Sequence, residues 1–99
     1  MNNYLNDKRS IEYLREGLGT SEHLVVESAV HGLATLDDTE SIPRIAQTCA
    51  RFPPLLAERI AMAAKGFRDP GVHVLFERFI KDPEKLKATE KVWREEHAK

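Results

Sequence analysis

The chain matches itself when it is shifted by 31 residues, and this echo constrains the fold more than any other feature of the sequence. Asp7 falls on Asp38 and Asp38 on Asp69; Ser10-Ile11 falls on Ser41-Ile42; Leu24 falls on Leu55 and then Leu86; Glu27 falls on Glu58. Apolar character persists where identity fades, in the columns Leu14–Ile45–Phe76 and Leu18–Cys49–Ile80. A period of this length belongs to chains built from one supersecondary unit that cannot bury its apolar face alone. Stacking the units makes the core continuous.

Each unit reads as two helices. In the first, Ile11, Leu14 and Leu18 lie on one helical face, and Gly17 and Gly19 stop that helix. The next helix has an apolar seam of Val25, Ala29, Gly32, Leu33 and Leu36. The second unit repeats the pattern with Ile42, Ile45 and Cys49, then Leu56, Ile60, Ala63, Ala64 and Phe67. Between them, Pro53-Pro54 ends one helix near Phe52 and restarts the next with Pro54 in its first turn, where the missing amide costs nothing. In the third unit Val72, Leu75, Phe76, Phe79 and Ile80 face inward, ahead of the helix carrying Leu86. Asp38, Asp69 and Asp82 stand at helix starts, where a carboxylate accepts orphan amides. Pro43 lies harmlessly in a first turn if Ser41 is the cap, and kinks the helix if Asp38 is. Period-2 alternation never lasts and no Asn-Gly or Asp-Gly hairpin occurs, so no strand is expected. The expectation is an all-α, right-handed α-solenoid of three antiparallel helix pairs, six helices in all, forming one domain over residues 1–99.

Composition narrows the function classes. The 99 residues are 41% hydrophobic and 31% charged, a globular balance with room for one small core. A net charge of -1 supplies no global field for nucleic acid or an anionic membrane. The single cysteine, Cys49, has no disulfide partner within the chain and no zinc spacing. No apolar run approaches the ~20 residues of a membrane span. Met1 to Asn6 lacks the basic head and apolar stretch of a signal peptide, so a cytoplasmic setting is expected.

The stretches Asp38-Thr39-Glu40-Ser41-Ile42-Pro43-Arg44-Ile45 and Asp69-Pro70-Gly71-Val72, with the small-residue second helices Ala29–Leu36 and Ile60–Phe67, resemble the HEAT-like repeat. The resemblance is to the short bacterial form found in phycobilin lyases and related proteins, and it covers roughly Asp7 to Phe79. That family often carries Arg early in the second helix, ladder-paired with the boundary Asp. Those positions here are Val26 and Ala57, so the boundary Asp is expected to cap a helix rather than to form an ion pair. The tetratricopeptide pattern of Trp, Gly and Tyr and the ankyrin Thr-Pro-Leu-His are absent.

In such solenoids the second helices line the concave side. The face opposite the seam carries His23, Glu27, Val30, His31 and Ala34 in the first unit, and Pro54, Glu58, Ala61, Met62 and Lys65 in the second. In the third unit it carries Lys85, Val92, Trp93 and Glu96. Two rows are therefore expected, Val30–Ala61–Val92 and His31–Met62–Trp93. As a partner groove this surface comprises Glu27, Val30, His31, Glu58, Ala61, Met62, Lys65 and Trp93, with Trp and Met as favoured contact residues. The competing reading is that Trp93 packs on Met62 and closes the end of the stack.

No catalytic arrangement emerges. His23, Glu27 and His31 recur at i, i+4, i+8 and span about 12 Å, which suits a solvated face better than a metal site. Cys49 shares a column with Leu18 and Ile80, as a small buried residue would. Gly17-Leu18-Gly19 is too short for a phosphate loop. His73 is expected to be a partly buried spacer. Lys81 to Lys99 alternates in charge sign, as a solvated terminal helix does, and Arg44, Arg51, Arg59, Lys65 and Arg68 make the middle unit locally basic. The sequence thus points to a non-catalytic protein-interaction module or small scaffold without cofactor or metal, binding a protein partner or a second copy of itself. The resemblance implies a bilin-handling lyase or isomerase as one alternative, and DNA-repair relatives imply nucleic-acid binding as another, which the neutral charge disfavours.

Overall fold

The computed structural model describes residues 3–97, with side chains from Arg9 onward. The described residues form six α-helices and no strand: α1 (Asn3–Gly17), α2 (His23–Thr35), α3 (Ile42–Cys49), α4 (Pro54–Met62), α5 (His73–Phe79) and α6 (Pro83–His97). Three 3-10 segments adjoin them. Thr39–Ser41 leads into α3, Ala63–Gly66 prolongs α4, and Pro70–Val72 leads into α5. The Cα radius of gyration is 13.1 Å, as expected of a single compact domain of about 100 residues.

Local chemistry sets the boundaries. α1 stops at Gly17, where Leu18, Gly19 and Thr20 tighten the last turn by donating to carbonyls three residues back. α2 ends in a Schellman motif: Asp38 N–H donates to the Leu33 carbonyl at 3.0 Å and Asp37 N–H to the Ala34 carbonyl at 2.9 Å. Asp37 occupies the left-handed region at φ 55. An aspartate tolerates this better than most residues, and its carboxylate accepts the Arg68 backbone amide at 3.0 Å, tying two loops together. Pro43 is the second residue of α3, with Ser41 at the N-cap, so it removes no helical bond. Pro54 opens α4 as expected, whereas α3 ends at Cys49, earlier than Phe52, and the chain descends through a turn.

Two of the three expected aspartate caps are overturned. Asp38 makes no cap hydrogen bond. Its carboxylate instead receives Arg15 Nε and Nη2, both at 2.9 Å, and the Ser41 hydroxyl at 2.6 Å. The boundary Asp is therefore half of an ion pair after all, with the cation supplied by α1. This bidentate fork ties the first helix to the start of the third. Asp69 makes no side-chain cap bond either, whereas Asp82 accepts the Glu84 amide at 2.9 Å.

Packing is sequential. α1 lies on α2, α3 on α4 and α5 on α6, while α2 also packs on α4 and its 3-10 extension, and that extension on α6. One continuous cluster runs from Leu18 to Trp93, with Phe67 and Phe76 the largest fully buried side chains. Fully burying such a side chain contributes about 1.5–3 kcal/mol, so the shared core rather than helix propensity holds the short α3 and α5. The approach of α1 to α2 is close, since a Cβ on Gly32 would meet Leu14 Cδ1 at 2.8 Å.

The α2 seam is wider and rotated relative to expectation. Val26, Ala29, Val30, Leu33 and Ala34 are buried, whereas Val25 is 46% exposed. α2 is covered by α1 on one side and by α4 with its extension on another, so its apolar arc must span both contacts.

Candidate functional site

An open groove lies between α2 and α4. Glu27 and His31 come from α2, Arg59 and Met62 from α4, and Ala63 and Lys65 from the 3-10 extension, around a cavity volume of about 380 Å³. Four residues expected on the binding surface, Glu27, His31, Met62 and Lys65, meet in this groove. Glu27 Oε2 lies 3.1 Å from His23 Nδ1 and 3.4 Å from Arg59 Nε, so one carboxylate organises both walls. Met62 is half-buried, and His31 and Lys65 are exposed. The Glu27–Arg59 pair balances its own charge, and among the described residues Lys65, beside a polarisable thioether, has no ion-pair partner.

The other four expected residues are not on this surface. Val30 and Ala61 are fully buried, because α2 packs against α4 and its extension. Glu58 is 5% exposed and faces α6, where Oε1 meets Lys85 Nζ at 3.0 Å and Oε2 accepts the Asp82 amide at 3.5 Å. The bond to Glu58, and then its charge, raise the Lys85 pKa. Trp93 is 9% exposed, and its indole N–H donates to the Phe67 carbonyl at 2.6 Å. His73 packs edge-on to the indole with centroids 4.6 Å apart, and His97 lies at 5.4 Å. Trp93 thus closes α6 onto the core through Phe67 and His73. The row His31–Met62–Trp93 does not form one exposed stripe, and Val92, in the companion row, is half-buried.

Arg59 and Ala63 belong to the groove although the helical face count missed them. The count placed residues around each helix separately, whereas Arg59 enters by reaching across to Glu27 on the neighbouring helix. Its signal was chemical: an arginine on α4 within reach of a partly buried acid.

Cys49 is fully buried, and burial pushes its thiol pKa up to about 12, so it is neither a nucleophile nor a ready metal ligand at neutral pH. His73 is partly buried and holds Glu90 at 3.4 Å, a packing partner of Trp93 as well. Among the described residues no three His, Cys, Asp or Glu side chains converge as a metal site, and no helix is long and apolar enough to cross a membrane. No family model, curated protein or solved structure matches the chain.

Proposed function

We propose that this protein is a non-catalytic interaction module, a HEAT-like right-handed α-solenoid of three helix pairs that docks a protein segment in the α2–α4 groove. The spacing of its elements supports the repeat. His23–Thr35 in the first unit corresponds, 31 residues on, to α4 with its extension, Pro54–Gly66, and the 3-10 segment Thr39–Ser41 corresponds to Pro70–Val72. The observation that carries the function is the convergence of Glu27, His31, Met62 and Lys65, drawn from two helices, on one open groove. Its chemistry favours a segment with an apolar side chain over Met62 and a carboxylate near Lys65.

The reading is tested by affinity capture from the native cell, comparing wild type with Met62→Glu and Lys65→Glu. Lys65 is exposed, whereas Met62 is half-buried against the core, so the native helicity of Met62→Glu is verified by circular dichroism before capture. The expected result is a protein retained by wild type and lost by both variants. An identical captured set for all three chains counts against the groove.

A further inference from the structure

The basic residues of the middle unit exceed what the α2–α4 groove uses. Between Ser41 and Arg68 five cations stand against one acid, and that acid, Glu58, is buried against Lys85. A net charge of -1 therefore hides a local positive excess, and α3 contains no acid at all. The structure gathers part of this excess on one side. Three adjoining clefts follow α3 from the end of α1 to the end of α5. Arg44, Gln47 and Arg51 line the first, Gln47, Ala50 and Arg78 the second, and Ala50, Arg78 and Lys81 the third. Shared lining residues join each cleft to the next, so the three form one strip.

We infer that this strip docks an acidic peptide segment in extended form, with one apolar side chain in the third cleft and carboxylates along Arg78, Arg51 and Arg44. Arg44, Arg78 and Lys81 are exposed, and among the described residues they have no ion-pair partner. Arg51 gives one N–H to the Leu18 carbonyl at 2.7 Å, which steadies the guanidinium and leaves it further donors. Glu16, in the first cleft, is the one acid among the described lining residues. Glu40 leans toward Arg15 at 3.9 Å, and Glu77 and Asp82 line none of the clefts. The ends of α3 and α5 each add roughly half a negative charge at most, which the full charges of Arg78 and Lys81 outweigh.

Charge complementarity selects the occupant. Unpaired arginines meet carboxylates through paired N–H bonds, so acidic side chains fit the strip where basic ones are repelled. The third cleft supplies an apolar seat, since Phe52, Ala57 and Phe79 line its volume of about 270 Å³. That is room for a side chain and not for a helix. Crossing from α1 over α3 to α5 covers two helix spacings, or about 20 Å, which an extended segment spans with about six residues. A nucleic-acid strand would meet the same cations, but its bases need open ring faces to stack on. Phe52 and Phe79 are half-buried, with Arg51 and Arg78 over their rings at 5.6 and 5.3 Å. The strip is therefore better matched to a peptide than to a single strand.

Fluorescence anisotropy of a labelled hexapeptide, one leucine followed by alternating glutamate and aspartate, tests this with the full chain at about 0.15 M salt. The expected result is saturable binding. Exchanging the acids for glutamine and asparagine weakens it about tenfold or more, and so does Arg44→Glu or Arg78→Glu, with helicity verified by circular dichroism. Replacing the leucine by glycine weakens it as well. No saturable binding, equal binding of the uncharged peptide, or indifference to Arg44→Glu and Arg78→Glu overturns the strip. So does tighter binding of a six-nucleotide oligothymidylate, which assigns the cations to nucleic acid. Met62→Glu and Lys65→Glu leave the peptide's affinity unchanged. A loss in those two variants places the peptide in the α2–α4 groove and also overturns the strip, so the two surfaces are read separately.

Discussion

Replacing Trp93 with phenylalanine isolates the hydrogen bond that closes α6. The indole is 9% exposed, and its N–H lies 2.6 Å from the Phe67 carbonyl, inside the core. Phenylalanine keeps an aromatic ring against His73 but has no donor, and the Phe67 carbonyl is left buried without a partner. Stranding a buried acceptor costs ~1–3 kcal/mol. The smaller ring leaves a void worth about 1 kcal/mol more. A loss of about 3 kcal/mol is a substantial fraction of the ~5–15 kcal/mol total of a domain this size. At ~4–8 °C per kcal/mol it lowers Tm by about 12–24 °C. Trp93→Ala removes the packing as well and costs ~3–5 kcal/mol. Urea titration followed by far-ultraviolet circular dichroism measures both, because the substitution removes the only tryptophan. A Trp93→Phe chain within about 0.5 kcal/mol of wild type, the range of neutral surface changes, refutes the closure.

Two further outcomes test the core and the joints. A double-mutant cycle on Arg15→Gln and Asp38→Asn should give a coupling of about 1 kcal/mol, because the pair is bidentate but Arg15 is still 30% exposed; zero coupling in urea denaturation contradicts a structural role. Cys49 should react with an aromatic disulfide reagent at pH 8 only at the rate of unfolding, and prompt labelling of the native chain would refute its burial. Its raised pKa also has a sign. The unfolded thiol ionises from 9.0 while the folded one holds its proton to about 12, so stability from this group is complete below 9.0 and is lost as pH rises through that window.

Much of the fold is legible along the chain, because its strongest signals are local. The columns Leu14–Ile45–Phe76 and Leu18–Cys49–Ile80 mark inward positions on or just beyond α1, α3 and α5, and all but half-buried Leu14 are buried. Gly17, Pro54 and Asp82-Pro83 mark helix ends by backbone rules that need no partner. The candidate site was half legible. Glu27, His31, Met62 and Lys65 lie on the free side of their helices, and a count of 100° per residue finds that side.

Val30, Ala61, Glu58 and Trp93 escaped that count because it treats each helix as covered on one face only. In the folded chain α2 and α4 each touch more than one neighbouring helix, so Val30 and Ala61, some 100° from the seam, are interior too, whereas Glu58 is covered by Asp82 and Lys85 and Trp93 by Phe67 and His73, contacts no single-helix count contains. Asp38 escaped for a related reason, since its partner Arg15 is 23 residues away on another helix. Periodicity, caps and breakers are properties of neighbouring residues, and the sequence by itself determined the helices and their inward stripes through them. Which flank of each helix meets water, and which charge meets which, depends on distances between elements far apart along the chain. The tertiary structure alone decided those.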